Sequence, residues 1–152
     1  MNTKYILLVE DAPDEVKLMS HALRASHVIN DLVVASNGRE ALDILFHEGK
    51  CADTKICDPP TLVLLDLVLP DISGFEVLNR IRSDERTKLL PVIILTSLKE
   101  QEDIVRGYTL GANSYVRKPV NFDQFVESVR QLGLYWLVVN EPPPKSGKWD
   151  EP

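Results

Sequence analysis

An acidic side chain interrupts one of the most apolar runs of the chain. Residues 61–78 read TLVLLDLVLPDISGFEVL, and Asp66 lies in the middle of the part that is typical of a buried strand. Burying a lone carboxylate costs on the order of several kcal/mol unless another group pairs with it. Either the strand ends at Asp66, where the side chain forms an ordinary salt bridge, or Asp66 has functional partners elsewhere in the chain.

Two further acids, Glu10 and Asp11, follow the first apolar run. If these carboxylates meet Asp66 at adjacent strand ends, they repel one another and raise one another's pKa unless a cation lies among them. Mg²⁺ prefers octahedral oxygen ligands and commonly takes one or two carboxylates together with waters and a phosphate. We therefore expect a Mg²⁺ site whose ligands are Glu10 (directly or through water), Asp11, Asp66 and the backbone carbonyl of Val68.

Thr96 and Lys118 follow two later apolar runs, and together with Asp66 they fit phosphoryl transfer. Carboxylates form aspartyl phosphates when a metal ion and a lysine neutralise the incoming phosphoryl group. The Lys118 ammonium would pair with one phosphoryl oxygen, and the Thr96 hydroxyl would donate to another. Asp66 is therefore either a metal ligand alone or a nucleophile as well.

The elements that must position these groups are short strands and longer helices in alternation. Five β-branched or leucine-rich runs alternate with five segments of helical period, which indicates βαβ units and a parallel sheet covered on both faces. We expect strands near 4–9, 31–35, 61–66, 91–96 and 114–116, and helices near 14–25, 39–46, 74–82, 100–109 and 122–137. Ligands of such sheets gather at the carboxyl ends of the strands, where the candidate residues fall.

The length of 152 residues and the apolar content of 44% predict one compact domain. We expect this domain to span residues 1–139, with residues 48–60 as a surface loop insertion that ends in Asp-Pro-Pro. Residues 140–152, which read NEPPPKSGKWDEP, are expected to be a proline-rich, disordered tail.

Composition excludes several classes of partner and site. The net charge of −6 argues against nucleic acid, because binding to a phosphate backbone depends on clustered Lys and Arg. Acids occur too early for a signal peptide, and no window approaches the roughly 18 apolar residues of a membrane span, so we expect a cytoplasmic protein without a membrane partner. The spacing of Cys51 and Cys57 fits neither a zinc knuckle nor a CxxC motif, which favours free thiols over a regulatory disulfide.

Four motifs taken together resemble the receiver domain of bacterial two-component response regulators: LLVED, LLDLVLPDISG, IILTS and SYVRKP, spread over about residues 5–132. The resemblance implies a flavodoxin-like (βα)5 fold, a doubly wound parallel sheet with strand order 2-1-3-4-5 in a single domain. It also implies that Asp66 is the phosphoacceptor, which receives a phosphoryl group from a sensor histidine kinase in a Mg²⁺-dependent phosphorelay. Thr96 and Lys118 match the other catalytic positions, and Glu10 and Asp11 match the acidic pair.

The same resemblance implies that Thr96 and Tyr115 form a switch. Phosphorylation adds nearly two negative charges, which would draw Thr96 inward and free space into which the Tyr115 ring turns. The signal would then reach the surface formed by the fourth helix, fifth strand and fifth helix. The alternative is that Tyr115 is only a lid on the core, as aromatic residues on short edge strands often are.

Within the family, VEDAPDE, the long loop before the third strand and the apolar end of the last helix resemble stand-alone receivers that partner cyanobacterial phytochromes. The implied partners are a phytochrome kinase and a downstream phosphotransfer protein. The segment LYWLVV at 134–139 is apolar on every side, so something must cover Tyr135 or Trp136. We expect a homodimer through the fourth-helix, fifth-strand, fifth-helix face, the alternatives being packing under the long loop or a partner protein.

Two other functions compete with that of a phosphoacceptor switch, which catalyses only its own phosphorylation and dephosphorylation. A phosphatase of the haloacid dehalogenase type also uses a strand-end aspartate, but it needs a second acid two residues later, where this chain has Val68. That class is therefore rejected. A degenerate receiver that binds partners without being phosphorylated remains the alternative, and it predicts that Asp66→Asn changes nothing.

Overall fold

The structure is a computed structural model, and it describes residues 5–25, 31–48, 59–118 and 122–136, together with 141 and 143. Strands and helices alternate along the chain. The strands are β1 (Tyr5–Val9), β2 (Asp31–Ala35), β3 (Leu62–Leu65), β4 (Val92–Thr96) and β5 (Ser114–Arg117). The helices are α1 (Pro13–Ala25), α2 (Gly38–Phe46), α3 (Gly74–Ser83), α4 (Gln101–Thr109) and α5 (Phe122–Leu134).

The five strands form one parallel sheet in the order β2-β1-β3-β4-β5. Strand β1 pairs with β2 on one side and with β3 on the other, so that Leu8 stands opposite both Val34 and Leu64. The predicted fold class and strand order are confirmed. Because all strands run the same way, their carboxyl ends meet at one edge of the sheet.

The three central strands are buried along their whole length. Alternate side chains of β1 point to opposite faces: Leu7 and Val9 pack with α2 and α3, whereas Ile6 and Leu8 pack with α1. A strand covered on both faces has no polar side, which explains the unbroken apolar runs in the sequence. A polar residue directly after such a strand is therefore a candidate for a functional site.

The predicted boundaries agree with the observed ones to within one residue, except at the end of α5, where the predicted end at residue 137 lies outside the described residues. Strand β3 ends at Leu65, although the Asp66 amide still donates to the Val9 carbonyl at 3.1 Å. Helix α4 begins at Gln101, because Glu100 has extended backbone angles and serves as its N-cap. Helix α5 is regular to Leu134 and continues as a π-helical turn through Tyr135 and Trp136.

Other predicted features lie outside the described residues. These include Cys51, Cys57 and most of the loop insertion, and in the tail the structure describes only Glu141 and Pro143, which are both exposed. Among the described helices, none combines the length and the apolar character needed to cross a membrane.

Candidate functional site

The residues predicted to do chemistry meet at the carboxyl edge of the sheet. Glu10 and Asp11 directly follow β1, and Asp66 directly follows β3. Thr96 is the last residue of β4, and Lys118 is the first residue after β5. Residues from four strands thus reach one place, although up to about a hundred positions separate them in the sequence.

Asp66 is the centre of this arrangement. Its side chain is buried, and its Oδ1 accepts hydrogen bonds from the Thr96 hydroxyl at 2.8 Å and from the Val68 amide at 3.2 Å. Its Oδ2 accepts a hydrogen bond from Lys118 Nζ at 3.1 Å. Each carboxylate oxygen therefore has a protein donor, which is how a buried acid is stabilised.

Glu10 and Lys118 form an ion pair beside Asp66. The Lys118 ammonium contacts Glu10 Oε1, and only 4% of the Glu10 side chain is exposed. Burial raises the pKa of Glu10 to about 7, against the opposing effect of the hydrogen bond from Lys118. Burial also acts to lower the pKa of Lys118, but the hydrogen bond to Glu10 and the charge of Asp66 outweigh it and raise that pKa above its ordinary value.

The three carboxylates are close enough to share one cation. One oxygen each from Glu10, Asp11 and Asp66 can be chosen so that all lie within 4.8 Å of one another. Glu10 and Asp66 are buried, whereas Asp11 is exposed, so the group opens to solvent on one side. Lys118 supplies a single positive charge to three negative ones. The clustered carboxylate oxygens fit the ligand set of a divalent hard cation.

A third acid, which was not predicted as a ligand of the site, lies near Lys118. Glu15 on α1 places Oε2 at 4.0 Å from Lys118 Nζ, and its side chain is 36% exposed. The sequence marks it only as a residue of the first turn of a helix, where acids are favoured by the helix dipole. It gives Lys118 a third carboxylate neighbour.

The loop between β3 and α3 is held tightly against Asp66. The Gly74 amide donates to the Leu67 carbonyl at 2.9 Å. A Cβ atom at position 74 would lie 2.2 Å from the carbonyl oxygen of Asp66, so only glycine fits there. The sequence predicted that the third helix begins at residue 74, and the structure adds that glycine at this position allows α3 to begin directly beside the buried acid.

The residues predicted to form a switch are linked through the loop after β4. The Tyr115 hydroxyl donates to the Leu98 carbonyl at 2.8 Å, and the Leu98 amide approaches the Thr96 hydroxyl at 3.5 Å. Leu98 therefore lies between Thr96 and Tyr115, a connection for which the sequence carries no signal. Helix α4 comes close to the Tyr115 ring at Gly107, where a Cβ atom would lie 3.1 Å from it.

The two aromatic residues predicted at an interface differ in exposure. Trp136 is partly buried and packs against the core on the α1 side of the sheet, whereas Tyr135 is 50% exposed. The rings meet edge to face with centroids 5.2 Å apart. They border a groove along the β5 edge whose other lining residues are Asn113, Ser114, Val116, Ser128 and Gln131. The domain itself covers part of Trp136 and leaves Tyr135 at the surface.

Comparison with known proteins relates this arrangement to one family. The family model described as "Response regulator receiver domain" matches residues 6–130. Response regulator Rcp1 of Synechocystis sp. (strain ATCC 27184 / PCC 6803 / Kazusa) is 32% identical over 134 residues, which cover 88% of this chain and 89% of Rcp1. FilR2 of Methanothrix harundinacea (strain 6Ac), a probable methanogenesis regulatory protein, is 36% identical over 139 residues, which cover 91% of this chain and 86% of FilR2.

Solved structures give the same result. The phosphorylated cyanobacterial phytochrome response regulator RcpA has a TM-score of 0.86 and 36% identity, over 94% of this chain and all (100%) of that chain. The Mn²⁺-bound form of response regulator Rcp1 has a TM-score of 0.85 and 31% identity, over 93% of this chain and 99% of that chain. The predicted resemblance to phytochrome response regulators is confirmed.

Proposed function

Because this chain belongs to the response regulator receiver domain family, we propose that Asp66 accepts a phosphoryl group from a sensor histidine kinase. The observation that carries this proposal is the environment of Asp66, a buried carboxylate with donors on both oxygens and two further acids beside it. An ordinary strand-end salt bridge needs one partner of opposite charge. It does not explain why two more acids are placed where they repel the first.

In the proposed reaction, an Asp66 carboxylate oxygen forms a bond to phosphorus while the bond between phosphorus and the histidine nitrogen of the kinase breaks. Lys118 and Thr96 act as catalytic groups, because both already donate to the Asp66 carboxylate and lie beside the position that the phosphoryl oxygens would take. Fixed donors at the place where charge develops stabilise the transition state. Hydrolysis of the aspartyl phosphate resets the domain, so the chain catalyses only its own modification.

The metal ligands in this proposal are Glu10, Asp11, Asp66 and the backbone carbonyl of Val68. Mg²⁺ bound there would neutralise the carboxylates and the phosphoryl oxygens. The close approach of the three acidic oxygens supports a cation at this position. The existence of a Mn²⁺-bound form of Rcp1 supports it further.

We propose a phytochrome as the cognate kinase and a phosphotransfer protein as a downstream partner, in the cytoplasm. The likeness to RcpA, which is a phytochrome response regulator, supports the first of these. The output is protein contact. Thr96 and Tyr115 would transmit the modification through Leu98 to the face formed by α4, β5 and α5, because hydrogen bonds already connect these three residues.

The same face is proposed to form a homodimer, with Tyr135 and Trp136 in the interface. Tyr135 is half exposed next to a partly covered Trp136, and both rings border the groove along the β5 edge, where Val116 adds apolar surface among polar side chains. Aromatic residues at the centre of such a patch contribute most to association.

Intact-mass analysis after incubation with Mg²⁺ and acetyl phosphate tests the phosphoacceptor. We expect one phosphoryl adduct on the wild-type protein, none on Asp66→Asn, and one on the control Asp84→Asn, which changes an aspartate of the loop after α3. An adduct that persists in Asp66→Asn would assign the phosphoacceptor to another residue. Absence of any adduct on the wild type with several donors would favour the degenerate receiver, whose binding is independent of Asp66.

A further inference from the structure

An acid outside the site ties the loop that carries Val68 to a neighbouring helix. Asp71 lies between β3 and α3, and its two carboxylate oxygens accept hydrogen bonds from the backbone amides of Gly38 and Arg39, both at 2.8 Å. These amides belong to the first turn of α2, 33 and 32 positions away in the sequence. The first amides of a helix have no partner within the helix, so Asp71 completes the end of α2 from another loop.

Packing reinforces this tie at the next residue. A Cβ atom at Gly38 would lie 2.4 Å from Ile72 Cγ1, so the Ile72 side chain occupies the space that glycine leaves open on α2. The hydrogen bond from the Gly74 amide to the Leu67 carbonyl closes the loop at its base. Residues 67–74 are thus joined at their two ends and tied to α2 within the loop, at Asp71 and Ile72.

Val68 lies between these anchors and is not held by its own side chain, which is 54% exposed. Its backbone amide donates to Asp66 Oδ1 at 3.2 Å, which brings the Val68 peptide next to the acidic group. Between Val68 and Asp71 there are only Leu69 and Pro70, and proline restricts the backbone to φ near −65°. Because this connecting segment is short and stiff, fixing Asp71 also restricts the position of the Val68 backbone.

The charge of Asp71 strengthens its bonds to α2. A carboxylate at a helix N-terminus is favoured by the helix dipole, and hydrogen bonds to an ionised acceptor are stronger than neutral ones. Partial burial acts to raise the pKa of Asp71, but the hydrogen bonds from the backbone of Arg39, Gly38 and Ile72 outweigh it and lower that pKa. Asp71 is thus ionised throughout the neutral range.

We propose that Asp71 is a positioning residue of the metal site, which holds the Val68 carbonyl where it can bind a divalent cation by fixing the loop to α2. The proposal rests on the proposed function, since the Val68 carbonyl has this role only if the acidic group binds a metal. It predicts that loss of Asp71 weakens metal binding although Asp71 itself contacts no metal.

The test compares Asp71→Ala with Asn37→Ala in the full chain. Asn37 caps the same helix end, because its side chain accepts from the Glu40 amide at 2.8 Å, but it does not belong to the β3–α3 loop. We expect both variants to lower Tm by about 2–4 °C. Mn²⁺ affinity, measured by electron paramagnetic resonance well below Tm, should fall on the order of tenfold in Asp71→Ala. It should stay within about twofold of wild type in Asn37→Ala.

Two further variants separate geometry from charge. Asp71→Asn retains one acceptor oxygen, so its Mn²⁺ affinity should lie between those of Asp71→Ala and wild type. Glu76→Gln removes one exposed negative charge from the first turn of α3 without cutting the tie to α2, and it should bind Mn²⁺ like wild type.

The outcomes distinguish this inference from the proposed function. Equal Mn²⁺ binding by wild type and Asp71→Ala would overturn the inference and leave the metal site intact. Equal losses in Asp71→Ala and Asn37→Ala, or in Asp71→Ala and Glu76→Gln, would also overturn it, because helix stability or net charge would then account for the effect. Absence of Mn²⁺ binding in the wild type would overturn the metal site itself.

Discussion

The Thr96 hydroxyl donates a hydrogen bond of 2.8 Å to the Asp66 carboxylate from the adjacent strand, and Thr96 is completely buried (0% exposed). A buried hydroxyl that points at a buried acid is already oriented before any phosphoryl group arrives. The hydroxyl can therefore stabilise the charge that develops in the transition state without first having to be reoriented.

Replacing Thr96 tests this orientation. Thr96→Val keeps the shape of the side chain and removes the donor, and we expect the initial rate of adduct formation on Asp66 to fall on the order of 10²-fold. Thr96→Ser keeps a hydroxyl and should retain most of the rate. The measurement is the time course of the phosphoryl adduct by intact mass. Equal rates for Thr96→Val and wild type would remove Thr96 from the catalytic groups.

Lys118 should stabilise the folded state in the absence of metal, in addition to its role in phosphoryl transfer. It is the cation between Glu10 and Asp66, both buried, so Lys118→Met leaves two acids without it. Loss of one partner from a buried pair costs about 3–5 kcal/mol. We expect a loss of this order in the free energy of urea unfolding without metal, with part of it recovered in millimolar Mg²⁺.

The matched control for that measurement is Lys88→Met. Lys88 pairs with Glu85 at 2.7 Å, but the Glu85 side chain is 80% exposed. Ion pairs of this kind contribute roughly 0–1 kcal/mol, so the control should differ little from wild type. Equal losses in the two lysine variants would contradict the view that Lys118 neutralises the acidic group.

Gly74 allows α3 to lie directly against the backbone of Asp66. In Gly74→Ala the new methyl group would meet backbone atoms of Asp66 and Leu67, which cannot move without shifting the site. Overpacking of this kind costs about 1–3 kcal/mol, and we expect a loss of adduct formation in addition to the lower stability. Gly107→Ala is the control, since its methyl group meets side-chain atoms of Ile94 and Tyr115 and no backbone atom of the site, and side chains shift more easily than backbone. If Gly74→Ala had the stability and the rate of adduct formation of the wild type, the β3–α3 loop would be able to move away from Asp66 without loss.

Tyr115→Phe separates the output from the chemistry. The variant loses the hydrogen bond to the Leu98 carbonyl, worth about 1 kcal/mol, and keeps the ring. We expect the adduct to form at the wild-type rate, while amide hydrogen exchange in residues 97–101 becomes faster. Tyr108→Phe, which changes an exposed tyrosine on α4, should leave that exchange unchanged. A slower adduct in Tyr115→Phe would place Tyr115 in the chemistry instead.

The sequence was sufficient to predict the scaffold and the chemical groups, for a physical reason. Strands buried on both faces must be continuously apolar, so polar residues at their ends, such as Asp66 and Thr96, stand out. The registers of the parallel strands then bring those ends together. Periodicity is a local signal, and it therefore located the elements to within a residue or two.

The ties between loops could not be predicted in the same way. The contacts of Asp71 with Gly38 and Arg39, and that of Tyr115 with Leu98, join backbone atoms of one segment to a side chain of another. A backbone amide or carbonyl is the same in every residue, so the partner leaves no mark in the sequence. Asp71 read in isolation is only a turn residue after a proline.

Tyr135 tests the proposed homodimer, because it contributes exposed aromatic surface without being part of the core. Tyr135→Lys places a charge in the interface, and we expect light scattering to show a shift from dimer to monomer without a change in the urea midpoint. Leu89→Lys, at an exposed apolar residue (43%) in the loop before β4, should leave the mass unchanged. A dimer that survives Tyr135→Lys would move the interface away from this face. A wild-type protein that is monomeric both with and without the phosphoryl adduct would instead favour a different partner for the aromatic pair.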